Sequence, residues 1–289
     1  MNSVSIFMLT LASHCCSAME VFVHRIYYSV MLAVVTALCL FGTTTNAGAV
    51  LQGTKSWPYG EVPYHISASL RVSGASNNGC HGWHTWPQTS EAYHVCRAMD
   101  AWHRATGVRF TYEPVIKPDT LIISQGQATT AYLGYRDQLN RLNIKKSENY
   151  GPILHEIGHI LGLAHEHQRF SRNEYITVSE VVNETITSCD GNPRCRNVSV
   201  SMSQLPDMEI VSTDYDLCSV MHYAPDQSSL ALTDAKWQTM FTLTRSGKDA
   251  LKKCAGQFSH LGSGCMKVGQ NCSISLSDAN VARRFNLGQ

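Results

Sequence analysis

The stretch HEIGHILGLAHEH, residues 155–167, sets four histidines into thirteen positions and spaces them with two glycines and aliphatic residues. Read as a helix, GPILHEIGHILG puts Pro152 in the first turn, where a missing N–H costs nothing. At about 100° per residue, His155 and His159 share one face as i,i+4 neighbours, close enough to hold one ion. Ile153, Leu154, Ile157, Ile160 and Leu161 fall on the other face, so one side packs and the other binds. A continuing helix would turn His165 roughly a third of a turn away and carry it about 9 Å further along the axis. Gly162 removes that obstacle. Glycine adopts the left-handed conformation that ends a helix and turns the chain, and His165 then folds back to the same ion. His167 lies too far along the chain and reads as a non-ligand. Three neutral imidazoles with an open fourth position fit a catalytic zinc, whereas a closed set of four would be structural. Glu156 gives such an ion a use. It is turned too far from His155 to bind directly, yet it reaches a zinc-bound water. There it takes the proton as the water attacks a carbonyl and passes it to the leaving amine.

The rest of the chain places this chemistry outside the cell. HRIYY (His24–Tyr28) and the apolar run Ser29–Phe41 form a basic flank and a core too short for a membrane span and suited to a signal peptide. Ala47 and Ala49 fit an A-x-A cleavage site, so residues 1–49 read as a leader, with Met19 as an alternative start, and 50–289 as one catalytic domain. If the leader stays uncut, the chain is instead a membrane-anchored ectodomain. Outside that leader stand Cys80, Cys96, Cys189, Cys195, Cys218, Cys254, Cys265 and Cys272. An even number in an exported chain points to disulfides, and no paired C-x-x-C spacing points to a metal. CDGNPRC carries tight-loop residues, so Cys189–Cys195 is expected to close locally, with Cys80–Cys96 as a second pair. The histidines of CHGWHTW (Cys80–Trp86) then read as part of a disulfide-anchored loop rather than a second metal or sugar site. Asn183, Asn197 and Asn271 open N-x-S/T sequons and are glycosylation candidates. A formal net charge of +1 without a basic stripe excludes nucleic acid as the main partner.

Strands are expected at EVPYHIS, VRFTYE, TLIIS, TTAYLGYR and RLNIKK, ahead of the zinc helix. A helix capped by Ser90 runs to Gly107, with Val95, Met99 and Trp102 as its apolar stripe. Residues 183–214 read as a long polar loop. LSDANVARRFN reads as a closing helix capped by Ser277, with Leu276 and Val281 as a hydrophobic staple. Strands gathered before the main helix give an α+β fold.

H-E-x-x-H-x-x-G-x-x-H is the metzincin signature, and HEHQR (His165–Arg169) with YDLCSVMHY (Tyr215–Tyr223) resembles the astacin family of zinc endopeptidases. SWPYGEVPYHI and LSDANVARRFN resemble that family's opening strand and closing helix. The resemblance implies two lobes around a deep cleft with zinc at its floor. It implies His155, His159 and His165 as ligands and Glu156 as general base and acid. It places Met221 beneath the ion as an apolar floor, Glu166 in a buried polar network below, and Tyr223 as a displaceable ligand that swings to the oxyanion. The implied substrate is a protein or peptide, and the strand-like alternation of TTAYLGYR (Thr129–Arg136) shortly before the zinc helix marks the edge along which it is expected to add as a strand. The chain departs from the family at Gly107, where a cysteine is usual, at Ser171 and Asn173, where aspartates are usual, and in Cys218 within SVMHY. The F-x-G-D latency motif is not visible between Ala49 and Trp57. Intact Glu156 and Tyr223 argue against the alternative, a secreted adhesion module that keeps the fold without catalysis.

Overall fold

A computed structural model describes residues 48–70, 79–189, 191–205, 208–210, 215–226, 230 and 235–288. The expected leader up to Ala47, with its apolar core and Met19, lies outside the described residues. Ala49, the last residue of that expected leader, is buried in strand β1 (Ala49–Leu51), and its carbonyl accepts the Ala164 N–H at 2.9 Å.

Alternation makes the sheet. β2 (Glu61–Ile66) turns Val62, Tyr64 and Ile66 inward. With β3 (Arg109–Tyr112), β4 (Leu121–Gly126), β5 (Thr130–Ala131) and β6 (Asn140–Lys145) it forms a five-stranded sheet in the order β3-β2-β4-β6-β5. All pairings are parallel except β5 with β6, which runs antiparallel and leaves β5 at the sheet edge. The expected strand over residues 129–136 is thus shortened to Thr130–Ala131. Gly134, at φ 63°, bends the chain off the sheet, and the Tyr135 N–H bonds Lys55 O instead.

Between β2 and β3 runs α1 (Glu91–Thr106). Ser90 Oγ accepts the Tyr93 N–H, Gly107 closes the helix at φ 83°, and Val95, Met99 and Trp102 are buried, as the sequence pattern requires. α2 (Tyr150–Ile160) is the histidine-bearing helix. Ile153, Leu154, Ile157 and Ile160 are buried on its packing face, and the Trp102 indole N–H bonds Leu154 O at 2.9 Å. Two of its C-terminal carbonyls, orphaned in any helix, find partners: Trp57 Nε1 on Ile160 O at 2.7 Å and Asn286 Nδ2 on Leu161 O at 2.9 Å.

A second, separate core forms around Ile176, Val182, Val198, Met202, Leu217, Trp237 and Phe241. Its elements are β7 (Ile176–Val178), α3 (Glu180–Thr187), α4 (Pro193–Met202), β9 (Phe241–Leu243) and α5 (Arg245–Ala255), and the chain between α4 and β9 also forms the strand β8 (Met208–Ile210). β1 pairs with β8 and β7 with β9. The long loop expected over residues 183–214 is corrected here, since much of it is helical. α4 buries Val198 and Met202, one turn apart, and Asn192 caps it by accepting the Arg194 N–H, with Pro193 at its first position. Helices of 8 and 10 residues are too short to print a visible period on a polar stretch.

The chain closes with α6 (Leu276–Leu287). Its cap is Ser275, not the expected Ser277: Ser275 Oγ accepts the Asp278 N–H while the Asp278 carboxylate accepts the Ser275 N–H, a reciprocal capping box. Leu276 is 72% exposed, so the expected staple does not form, and Val281 packs into the first core instead.

The fold hinges on the turn after α2. Gly162 has φ +95°, and a Cβ there would sit 2.4 Å from the Phe285 ring. Gly162→Ala is expected to lower stability by at least about 1–3 kcal/mol, the range for a residue forced into this backbone region. Thermal unfolding measures it; an unchanged Tm would mean that the turn does not need glycine.

Candidate metal centre and active-site cleft

α2 brings His155 and His159 to one face, and the turn at Gly162 returns His165 to them. His155 Nε2 and His159 Nε2 each lie 3.1 Å from His165 Nε2. The opposite ring nitrogens are committed elsewhere. His155 Nδ1 meets Val220 O at 2.7 Å, His159 Nδ1 meets Leu163 O at 2.8 Å, and His165 Nδ1 meets Gln168 Oε1 at 3.0 Å. Those oxygens can only accept, so each Nδ1 carries the proton and each Nε2 presents a lone pair. Burial pushes all three rings below the usual imidazole range, His159 to about 3, so they are neutral. Three lone pairs facing one another at this distance repel unless a cation sits among them. Neutral imidazole donors with an open side suit zinc, whose Zn–N bonds are about 2.0–2.1 Å.

His167 is fully buried and both its nitrogens are occupied: Nε2 donates to Ser201 O at 2.9 Å, and Nδ1 accepts the Tyr223 N–H at 3.4 Å. Its ring stacks on Tyr223 with centroids 4.1 Å apart. Tyr223 also packs edge-on against His165 at 4.5 Å, and Ser201 lines the same cleft. Burial and the neighbouring Glu156 push its phenol up to about 12.

Glu156 shares the cleft floor with the histidines. Burial pushes its carboxyl up to about 8, and the backbone of Ala131 on the edge strand β5 pulls the other way. A carboxyl that titrates near neutrality is suited to take and return a proton. Below the histidines, Glu166 is 1% exposed; its Oε1 accepts from Arg169 at 2.7 Å and from the Asp216 N–H at 2.8 Å. Burial raises the Glu166 carboxyl, and Arg169 opposes this. Met221 is buried with its sulfur against Gly158, where a Cβ would come within 2.4 Å of Sδ.

These groups lie along a cleft of about 880 Å³. Gln127–Ala131 form one rim, His155, Glu156, His159 and His165 the floor, and Asn197, Ser201, Tyr223, Lys267 and Asn271 the facing wall. Two of the three sequon asparagines, Asn197 and Asn271, are exposed along this wall. Asn183 is exposed on α3, with its Nδ2 on Val178 O.

The four disulfides among the described residues are Cys80–Cys96, Cys189–Cys195, Cys218–Cys254 and Cys265–Cys272. The cysteine inside SVMHY is therefore a tie from that turn to α5. Among the described residues the other cluster with metal-like spacing, Asp216, Cys218 and Cys254, holds this disulfide, and none forms at His81 and His84.

Several of these residues carry no signal of their own in the sequence. The partners of His155 and His159 are backbone carbonyls, which any residue type supplies. Ser201 and Asn197 reach the cleft only because α4 exists. Gln168 stands in HEHQR, three residues after His165, a spacing that could have marked it as that ring's partner.

The profile of the family described as Astacin (Peptidase family M12A) matches residues 49–268. Zinc metalloproteinase nas-8 from Caenorhabditis elegans is 25% identical over 194 residues, which is 66% of this chain and 40% of that protein. Nematocyst expressed protein 6 from Nematostella vectensis is 28% identical over 188 residues, 63% of this chain and 56% of that protein. The chain thus spans only about half or less of the length of these relatives. High choriolytic enzyme 1, a hatching enzyme zinc-protease from Oryzias latipes (Medaka fish), shares the fold at a TM-score of 0.55 and 21% identity, covering 79% of this chain and 91% of its own. The fold is therefore the α+β fold of astacin-like zinc proteases, and the chain belongs to the astacin family of peptidases, family M12A.

Proposed function

We propose that this chain is a secreted zinc-dependent endopeptidase that hydrolyses peptide bonds in proteins or peptides. The observation that carries the reading is the convergence of three proton-free Nε2 atoms beside Glu156, at the floor of a cleft whose rim is an open sheet edge. His155, His159 and His165 would hold the ion. Bound there, zinc supplies a Lewis acid that polarises the scissile carbonyl and acidifies water. The remaining steps fall to side chains. Glu156 takes the proton of the attacking water and delivers it to the leaving amine, so the amine departs neutral. Tyr223 donates its phenolic O–H in a hydrogen bond to the developing oxyanion. Met221 packs the floor beneath the histidines and excludes water. The edge strand β5 offers main-chain groups to an extended peptide, which gives affinity with little sequence preference.

Secretion rests on the leader reading of residues 1–49 and on the disulfides, which suit an oxidising compartment. Among the described residues, no helix is long and apolar enough to cross a membrane. N-terminal sequencing of the chain released by cells tests the leader reading against the membrane-anchored one. A binding module on the same fold would have no use for Glu156 and Tyr223 in these positions.

Chelation is expected to abolish peptide cleavage, and added zinc to restore it. Glu156→Ala is expected to keep about one zinc per chain and lose nearly all turnover, since it removes a proton carrier and no ligand. A chelator-insensitive protein, or an active Glu156→Ala variant, would sink this mechanism.

Tyr223→Phe separates binding from chemistry. A bond to the oxyanion exists only near the transition state, so its loss lowers kcat and leaves KM nearly alone. The expected loss is on the order of 10²–10³ in kcat, about 3–4 kcal/mol. Phe keeps the stacking on His167, so Tm and zinc content should hold. Wild-type kcat at full zinc would remove Tyr223 from the mechanism.

A further inference from the structure

The buried carboxylate of Asp278 plays no part in the chemistry above, yet an unbroken line of hydrogen bonds joins it to the histidine cluster. Ser219 Oγ donates to Asp278 Oδ1 at 2.5 Å and accepts the Met221 N–H at 2.9 Å. The peptide unit that carries the Met221 N–H also carries the Val220 carbonyl, and that carbonyl accepts Nδ1–H of His155 at 2.7 Å. Carboxylate, hydroxyl, peptide and imidazole thus stand in series, each donor directed toward the carboxylate end. Asp278, Ser219, Val220 and Met221 are all buried, so water does not compete for these bonds. The other partners of the carboxylate, the Val220 N–H at 2.9 Å and the Ser275 N–H at 3.1 Å, are donors as well. Burial raises the carboxyl, and each of these hydrogen bonds opposes that by favouring the anion.

The other two histidines lack this feature. The peptide that holds His159 through Leu163 O passes its own N–H, that of Ala164, to the neutral carbonyl of Ala49, a partner that cutting after residue 49 would remove without adding a charge. Gln168, which holds His165, passes its Nε2 to the carbonyls of Val200 and Ser203. Of the three lines, only the one from His155 ends on a carboxyl group.

We propose that Asp278 is a positioning residue for His155, acting through Ser219 and the Val220–Met221 peptide to fix the ring and strengthen Nε2 as a zinc donor. This rests on the reading of the cluster as a zinc site. Bonds in series polarise one another, by roughly 10–30% each. An acceptor on the far nitrogen of a metal-bound histidine fixes its tautomer and raises its basicity, and losing such a partner typically costs about 10–100-fold in metal affinity. The carboxylate here acts through two intervening groups, so a loss at the lower end, about 10-fold, is expected.

The test is zinc affinity, measured by competition with a fluorescent chelator on purified wild type, Ser219→Ala, Asp278→Asn and the double variant. Ser219→Ala cuts the line but leaves Asp278 bonded to Val220 and Ser275, so the cap of α6 stays intact. Asp278→Asn cannot accept on both sides and cuts the line at its origin. Each single variant is expected to bind zinc about 10-fold more weakly, and the double variant no more weakly than the weaker single one, because both changes break one path. In the zinc-loaded protein, the side-chain ¹⁵N resonances of His155 should move in Ser219→Ala while those of His159 and His165 stay. Affinities within twofold of wild type with a lowered Tm would overturn the proposal and leave Asp278 a purely structural cap. Fully additive losses would also overturn it. If Asp278→Asn fails to fold, the affinity and His155 resonances of Ser219→Ala decide alone. Wild-type protein that takes up no zinc would refute the zinc-site reading itself, a different result from equal affinities.

Discussion

Three imidazole lone pairs, two of them held 3.1 Å from the third, form an arrangement that no chain adopts for its own stability. The rest of the structure supplies what holds them. Each ring is fixed by an acceptor on its far nitrogen, and those acceptors come from three different segments: the turn around Val220, the chain after Gly162, and Gln168. A ring that could rotate would lose rotamer freedom on binding an ion. Rings already locked by buried acceptors have lost it on folding, so metal binding gains the full donor strength of the site.

Legibility in the sequence follows the range of the interactions. The helix carrying His155 and His159 was readable because its two faces differ in kind over a single turn. The turn at Gly162 was readable because only glycine is at ease at its backbone angles. α1 was readable from Ser90, its apolar stripe and Gly107. What failed was set by tertiary partners. Polar α3 and α4 are helical because Val182, Val198 and Met202 find a second core, and nothing within residues 183–202 announces that core. The strand expected to end at Arg136 stops at Ala131 because Lys55, far away in the chain, offers Tyr135 a better partner. The cap of α6 was misplaced by two residues because Ser275 and Ser277 are the same residue type two positions apart at the start of the helix. Asp278, three residues past Ser275, was the discriminating signal.

That local detail had wider consequences. Asp278 read as the first residue after a Ser277 cap is an ordinary surface acid of a first helical turn. Read as the third helical residue after a Ser275 cap, it points back at its own cap and, from there, at the turn that holds His155. A slip of two positions in a helix start thus hid a link between the end of the chain and the candidate metal centre.

The polar layer beneath the histidines can be weighed against an apolar alternative. Glu166, Asp216 and Asp278 are buried together, with Arg169 as the cation paired to Glu166 at 2.7 Å. Burial pushes Asp216 up to about 7, and the nearby Asp278 adds to that. Such groups cost several kcal/mol each if left without partners. Here their oxygens are met by donors. Arg169 and the Asp216 N–H serve Glu166, and the Cys218 N–H and Ser275 Oγ serve Asp216. Ser219 Oγ and the N–H groups of Val220 and Ser275 serve Asp278. Well-packed apolar residues would fill the same space with equal or greater stability, so stability alone does not account for the layer. Apolar side chains have no preferred direction at this scale, whereas each of these bonds fixes an orientation. The layer ties residues 166–169, 216–221 and 275–278 into one geometry, and those are the segments that carry or support His165, the Val220 carbonyl and the start of α6. Its effect is to convert buried charge into the angular precision that the histidine cluster requires.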